Sequence, residues 1–156
     1  MKVYVASSWR NTRQPGVVVA LRGEGHDVYD FRRPLSAAGV IATGFHWSDI
    51  DPAWQDWSPA RFREALNHPI AKEGRDLDAE ALHTADATVL VMPCGRSAHL
   101  ELGYAIGRRQ RTAILLSDGE PELMYGLADR ICLSLDEVVE WLAGFKREAE
   151  IARVGP

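Results

Sequence analysis

The sequence predicts an α/β protein with a doubly wound, five-stranded parallel sheet in the order 2-1-3-4-5 and helices on both faces. Short apolar runs alternate with segments of helical periodicity along the chain. Five such runs fit in 156 residues, a length that suits one domain with a single core. Because a strand, a helix and the next strand form a right-handed parallel unit, this alternation favours a mostly parallel sheet between two layers of helices.

Local signals set the predicted elements. Pro15 suits the first turn of a helix that Gly23 ends, and Ser58 before Pro59 is a good N-cap for a later helix. The predicted strands are residues 2–6, 26–30, 87–92, 112–116 and 130–133. The predicted helices are residues 15–22, 59–67, 75–84, 98–109 and 135–149, with a turn or short helix at 120–128 and a long polar and aromatic loop at 31–57.

Composition and charge narrow the function classes. The hydrophobic fraction of 46% and the charged fraction of 26% are ordinary for a globular protein. We expect one domain over residues 1–150 and a frayed tail at 151–156. With a net charge of −4, the chain lacks the broadly basic surface that nucleic-acid binding requires. We therefore expect a small-molecule partner, a nucleoside or nucleotide, and no nucleic acid.

The chain shows no sign of a membrane or metal partner. No apolar run approaches the length of a membrane span, and MKVYVASSWR reads as a strand rather than a signal peptide. We therefore expect a cytoplasmic protein with no membrane partner. Cys94 and Cys132 form no C-x-x-C pair, and the histidines are not spaced as a zinc site, so we expect no metal and no cofactor.

The order 2-1-3-4-5 is flavodoxin-like, a Rossmann-like arrangement that reverses direction between the first and third strands. Ligands bind outside the carboxyl ends of those two strands. The loops that meet there are residues 6–14 and 93–98. The second of these leads from a buried strand into a helix in VLVMPCGRSAHLELGYAIG, residues 89–107, so we expect the functional site at this edge.

Three common enzyme motifs are excluded at these loops. Residues 95–99, GRSAH, lack the last glycine of a hydrolase nucleophile elbow, and no histidine follows them to complete a triad. The first loop, SSWRN, has neither the glycines nor the lysine of a Walker A loop, and it lacks a dinucleotide fingerprint for the same reason. A carboxylate site remains.

Three segments carry a resemblance to a known family. Residues 3–14, VYVASSWRNTRQ, and residues 100–106, LELGYAI, resemble the first strand and the Glu-Leu-Gly-Tyr-Ala motif of the nucleoside 2-deoxyribosyltransferase family, which includes 2′-deoxynucleoside 5′-monophosphate N-glycosidases. Between them, Asp78 stands eight residues before Asp86, as in the stretch ahead of the family's third strand. The resemblance covers most of residues 1–117 and implies an enzyme that cleaves or transfers an N-glycosidic bond.

The resemblance also implies residue roles. Glu101 would be the nucleophile that attacks C1′ of the sugar and forms a glycosyl-enzyme. We expect it in the first turn of its helix, where the dipole favours the carboxylate. Asp78 would hold or protonate the base, Tyr4 would direct its hydroxyl at Glu101, and Trp9 would stack on the base or sugar.

The same loop departs from the family at one position. Gly95 stands where many transferases carry an acid that contacts the sugar hydroxyls. Arg96 and Ser97, at the start of the predicted helix, are candidates to hold a 5′-phosphate. Arg96 has an alternative as a surface ion-pair partner of Glu24 or Asp118.

The loop at 44–57, GFHWSDIDPAWQDW, contains three tryptophans. These tryptophans, Trp47, Trp54 and Trp57, form either a lid over a base or a cluster that packs the loop onto the sheet. The sequence is also compatible with a catalytic pair of Cys94 and His99, although no third member is visible.

Two other function classes remain open. A Toll/interleukin-1 receptor-like domain shares the doubly wound layout and can cleave the nicotinamide bond of NAD with one glutamate. A nucleotide sensor would bind in the same cleft without turnover. We expect a homo-oligomer, a dimer or higher, and the sequence is compatible with both hydrolysis and transfer.

Overall fold

The computed structural model describes the backbone of residues 1–34 and 42–154, and side chains as far as residue 148. Within these residues the strands are β1 (Lys2–Ala6), β2 (Asp27–Tyr29), β3 (Ala87–Val91), β4 (Arg111–Leu115) and β5 (Arg130–Cys132). The α-helices are α1 (Gln14–Gly23), α2 (Pro59–Ala65), α3 (Pro69–Thr84), α4 (Arg96–Gly107) and α5 (Leu135–Val154), and short 3-10 turns lie at Trp47–Asp49, Trp54–Asp56 and Leu123–Leu127.

The chain forms two compact units. The first, which we call the sheet unit, consists of Met1–Tyr29 and Thr84–Pro156, and it contains the five strands with α1, α4 and α5. The second, the helical unit, is Asp30–His83 and contains α2 and most of α3. The sequence predicted one domain over residues 1–150. The division into two compact units does not test that prediction.

The sheet has the predicted topology. Its order is β2-β1-β3-β4-β5, and each pair of neighbouring strands is parallel. Val5 of β1 lies opposite Val89 of β3, and Val89 lies opposite Ala113 of β4. Because β1 and β3 are adjacent while β2 lies beyond β1, the chain reverses direction between them, as the sequence predicted.

The two faces of the sheet are covered by different helices. Val3 and Val5 belong to a buried cluster with Val17 of α1 and Leu142 of α5. Successive side chains of a strand point to opposite faces, so Tyr4, between those valines, lies on the other face. Helix α4 contacts β1, β3 and β4, and its buried side chains lie outside that cluster. Helices therefore cover both faces, as predicted.

The helical unit contains the largest deviation from the predicted elements. Helix α3 begins at Pro69, whereas the prediction began it at residue 75, after Gly74. The unit explains this start: His68 accepts a hydrogen bond from the backbone N–H of Ile70 at 3.3 Å, and a Cβ at Gly74 would lie 2.5 Å from the side chain of Phe45. Gly74 therefore allows a close contact within the helix and does not end it.

Helix α5 continues to Val154, beyond the predicted end at residue 149. The backbone of residues 151–154 is thus helical, and the rest of the predicted tail, residues 155 and 156, lies outside the described residues. The other helix and strand bounds agree with the prediction to within two residues. No helix in the described part of the chain is long and apolar enough to cross a membrane.

Candidate active site

The loops that follow β1 and β3 meet, as the sequence predicted for this edge of the sheet. The hydroxyl of Ser7 donates to the carbonyl of Val91, the last residue of β3, at 2.9 Å. The side-chain amide of Asn11 donates to the same carbonyl at 3.0 Å and to the Ser7 oxygen at 2.9 Å. Ser7 and Asn11 are buried. Neutral polar groups therefore hold the two loops together.

Arg13 extends this connection to β4. Its guanidinium donates to the carbonyl of Leu116 at 3.2 Å and, more weakly, to that of Met92 at 3.4 Å. The sequence analysis did not identify Ser7, Asn11 or Arg13. The available signal was a cluster of serine and asparagine directly after a strand, which is typical of side chains that bond the backbone of a turn.

Helix α4 begins two residues earlier than predicted, and this corrects the position of Glu101. Gly95 is the N-cap and Arg96 the first helical residue, so Glu101 lies in the second turn, and the first turn contains no acid. The expectation of a first-turn carboxylate favoured by the helix dipole is therefore wrong, since that effect fades beyond the first turn. Glu101 is half-buried and lies beside the buried stripe of α4, formed by Ala98, Leu102 and Ala105.

Glu101 has a partner on its own helix. The hydroxyl of Ser97 donates to its Oε1 at 3.1 Å, one turn earlier. Ser97 and Arg96 are exposed. The structure shows no ion pair between Arg96 and either Glu24 or Asp118 in the part of the chain it describes. The surface ion pair considered for Arg96 is therefore absent here.

Cys94, on the loop before α4, contacts His99, with 3.6 Å between its Sγ and the Nδ1 of the ring, but two observations argue against a catalytic pair. Burial and the nearby charge of Glu101 raise the pKa of the thiol to about 11, so the thiolate is scarce at neutral pH. The Nδ1 of His99 lies 2.9 Å from the carbonyl of Gly95, which can only accept, so this nitrogen carries a proton and cannot take one from Cys94. Its Nε2 contacts the hydroxyl of Tyr125 at 2.8 Å.

The other two predicted residues of the sheet unit lie on or next to β1. Tyr4 is 1% exposed, and its ring stacks on that of Tyr29 with 5.3 Å between centroids. Trp9 is 36% exposed and lies in the turn between Ser7 and Asn11, where the backbone N–H of Asn11 bonds the carbonyl of Ser8. Trp9 is thus an accessible aromatic side chain on a loop held against the end of β3.

Gly95 leaves open space at the start of α4. A Cβ added there would meet no atom of the described residues within 4 Å, and the backbone is extended, with φ −93° and ψ −179°. Any residue can adopt this conformation. The glycine is therefore not required by local packing, and the space beside Arg96 is open.

The helical unit contains the two remaining predicted residues. Asp78 is a half-buried residue of α3. Trp47 contacts Phe45, Trp57 and Phe62 edge to face, with centroid distances of 4.8, 5.7 and 5.4 Å. Of the two alternatives for the tryptophan loop, this contact set agrees with packing within the loop and its neighbouring helix.

A further bond fixes the loop. The indole N–H of Trp57 donates to the carboxylate of Asp51 at 2.6 Å, which lowers the pKa of that carboxyl. In the described ranges, no three histidine, cysteine, aspartate or glutamate side chains cluster closely enough to hold a metal ion.

The sheet order and the joined loops define a doubly wound α/β protein, with Glu101 as a candidate site residue near the switch point. The fold is similar to that of a 2-deoxyribosyltransferase from the psychrotolerant bacterium Bacillus psychrosaccharolyticus. The TM-score is 0.58 at 19% sequence identity, over 89% of this chain and 90% of that chain. It is also similar to the CMP N-glycosidase BcmB of Clostridium botulinum, with a TM-score of 0.50 at 16% identity, over 92% of this chain and 99% of that chain.

These two likenesses confirm the predicted fold over most of the chain. No protein-family model matches the sequence, and no curated protein matches it either. At identities below a fifth, these likenesses show the fold alone and do not transfer an activity to this chain.

Proposed function

We propose that the protein cleaves or transfers the N-glycosidic bond of a nucleoside or deoxynucleoside, or of a nucleoside 5′-monophosphate, with Glu101 as nucleophile. One observation carries the proposal: Glu101 is a half-buried carboxylate on the helix that follows β3 at the switch point, and the hydroxyl of Ser97 donates to its Oε1 at 3.1 Å. The likeness of the fold to a deoxyribosyltransferase and an N-glycosidase supports the same chemistry.

The reaction takes two steps. In the first, an oxygen of Glu101 attacks C1′ of the sugar, and the electron pair of the C1′–N bond leaves with the base, which takes up a proton. In the second, water gives a proton to the group that protonated the base, its oxygen bonds C1′, the ester bond breaks, and the carboxylate is regenerated. A second base in place of water gives transfer instead of hydrolysis.

The other roles come from the family resemblance. Asp78 holds the base or gives it the proton, Tyr4 orients the nucleophile, and Trp9 stacks on the base or sugar. The exposure of Trp9 supports stacking on a ligand.

A 5′-phosphate is the anion that this loop suits. Arg96 is an exposed cation at the first position of α4, and the space around Gly95 is open. The hydroxyl of Ser97 has one proton, which it donates to Glu101, so Arg96 is the principal phosphate contact and Ser97 a secondary one.

We also propose a homo-oligomer, a dimer or higher. Leu100 and Tyr104 lie one turn apart on α4 and are 76% and 43% exposed, which leaves apolar surface uncovered on that helix. Size-exclusion chromatography with light scattering checks this. A monomer mass at every concentration would contradict it.

The function is tested by incubating the protein with deoxynucleosides, ribonucleosides, their 5′-monophosphates and NAD, and measuring free base by chromatography. We expect base from at least one of the nucleosides or 5′-monophosphates, with either sugar, and none from the Glu101→Gln variant under the same conditions. Release of nicotinamide from NAD alone would instead identify an NAD glycohydrolase. Binding without any product, unchanged in the Glu101→Gln variant, would identify a sensor.

A further inference from the structure

The side chain of Asn11 is 3% exposed and uses both ends of its amide. Its Nδ2 donates to the hydroxyl oxygen of Ser7 at 2.9 Å and to the carbonyl of Val91 at 3.0 Å, while its Oδ1 accepts from the backbone N–H of Arg13 at 2.8 Å. An amide provides two donors and an acceptor in one plane. No other amino-acid side chain of this size has two donors and an acceptor to make these three bonds.

The carbonyl of Val91 is the meeting point of this network. It accepts from the Ser7 hydroxyl at 2.9 Å and from Asn11 at 3.0 Å, so both of its lone pairs are directed at the loop after β1. Val91 is the last residue of β3, and the segment from Met92 to Gly95 follows it and leads into α4. The direction in which the chain leaves β3 is therefore coupled to the loop after β1.

The same network closes the turn that carries Trp9. Ser7 and Asn11 stand on either side of that turn, and the backbone N–H of Asn11 bonds the carbonyl of Ser8 at 3.0 Å. Both ends of the turn are thus tied to one carbonyl at the end of β3. Loops are otherwise the most mobile parts of such folds.

We propose that Asn11 is a positioning residue that fixes the turn bearing Trp9 against the segment that leads from β3 into the helix of Glu101. Its effect on catalysis rests on the proposed function, but its effect on the two segments does not. A displacement of about 1 Å between a substrate contact and a nucleophile costs roughly a hundredfold in rate, so this tie affects turnover more than affinity.

The isosteric variant Asn11→Asp tests the tie. A carboxylate has no donor for the carbonyl of Val91, which then faces negative charge in a buried place. Ser7→Ala is a milder second variant that removes one of the two bonds to Val91 and keeps the other. Asp129→Ala is the matched control, because it removes a side-chain bond to the backbone N–H of Thr112, at the opposite edge of the same sheet.

Two measurements are made on each protein: amide hydrogen exchange in residues 7–13 and 92–97, and kcat and KM for the best substrate. We expect faster exchange in both segments of Asn11→Asp, by about tenfold or more, with a smaller rise in Ser7→Ala and none in the control. We expect kcat to fall by roughly ten- to a hundredfold in Asn11→Asp with KM changed little, whereas the control keeps its kcat.

Exchange that rises in only one segment, or a kcat equal to that of the control, would overturn the inference. If the wild-type protein releases no base from any substrate, the proposed function has failed and exchange alone decides the positioning. A rise in both segments then still supports the tie, and unchanged exchange refutes it. Should Asn11→Asp not fold, Ser7→Ala decides by the same criteria.

Discussion

The two edges of the sheet use carboxylates differently. At the amino edge, Asp86 accepts the backbone N–H of Lys2 at 2.8 Å, and Asp129 accepts that of Thr112 at 2.7 Å. At the carboxyl edge, Glu101 on α4 accepts from the side-chain hydroxyl of Ser97 at 3.1 Å. The first two carboxylates bond strand backbone, whereas Glu101 has a side-chain partner that can rotate away.

The carboxyl edge obtains its backbone connections from other residues. Ser7, Asn11 and Arg13 bond the carbonyls at the ends of β3 and β4 with neutral or cationic donors. The comparison therefore separates two roles for acids in one sheet. Asp86 and Asp129 at the amino edge should matter for stability, and Glu101 should matter for chemistry.

The largest expected effect is that of Glu101→Gln. The amide keeps the shape of the side chain and still accepts from Ser97, but it cannot form the ester with C1′. We expect base release to fall by several powers of ten, with a melting temperature within a few degrees of wild type. Base release by chromatography and thermal unfolding measure the two quantities. Near-wild-type base release would show that Glu101 is not the nucleophile, and Asp78 would be the next residue to test.

The variant Asp129→Ala tests the structural role of an acid at the amino edge of the sheet. It leaves the backbone N–H of Thr112 without its partner, which costs about 1–3 kcal/mol of stability. The midpoint of thermal unfolding should fall by roughly 2–4 °C for each kcal/mol, while kcat stays near wild type. A large loss of kcat at full folding would contradict the division between the two edges.

The phosphate contact at the carboxyl edge should have a smaller effect. We expect a nucleoside 5′-monophosphate to bind about tenfold more tightly than its nucleoside, which corresponds to about 1.4 kcal/mol. Arg96→Ala should remove most of that difference. Arg108→Ala, which removes the same charge at the other end of α4, should not. Calorimetry at low and moderate salt measures both ligands, and equal dissociation constants for the pair would exclude the phosphate site.

The smallest effect concerns His26, beside the amino edge. Burial, and then the charges of Lys146 and the amino terminus, lower its pKa from 6.5. Its Nδ1 has no hydrogen-bond partner within the described residues. The unfolded chain therefore binds a proton more readily than the native protein, so stability is greatest above about pH 6.5 and falls as the pH drops towards the lowered native value.

The unfolding temperature of the wild type should accordingly decrease between about pH 7 and pH 5, and His26→Gln should reduce that slope. A series of melting curves in one buffer system measures both proteins. An identical slope for the two would show that His26 does not contribute.

The sheet could be predicted from the sequence because its signals are local. Strands such as β3, ATVLV, are fully buried apolar runs, and alternation with helical segments fixes a parallel order. The start of α3 could not be predicted, because the fit of Gly74 to Phe45 joins residues far apart in the chain. The same reason hides Asn11, whose contact with Val91 spans 80 positions.

The sequence identified Glu101 as a candidate residue but did not predict its position in the second turn of α4. The Glu-Leu-Gly-Tyr-Ala motif marked the carboxylate, whereas the helix start depends on the backbone of Gly95, which has no side-chain cap to signal it. The roles of Cys94 and His99 required distances and burial. At this site the sequence therefore shows which residues are candidates, but it does not show their protonation or their hydrogen-bond partners.

The central claim is that Glu101 bonds covalently to the sugar. Trypsin cleavage after Arg96 and Arg108 gives the peptide SAHLELGYAIGR, in which Glu101 is the single carboxylate side chain. The protein is mixed with its best substrate, quenched in acid within one turnover, digested and analysed by mass spectrometry. We expect this peptide to gain the mass of one sugar, or sugar phosphate, less water, and we expect no gain in Glu101→Gln. Base release with the gain on a different peptide would contradict it.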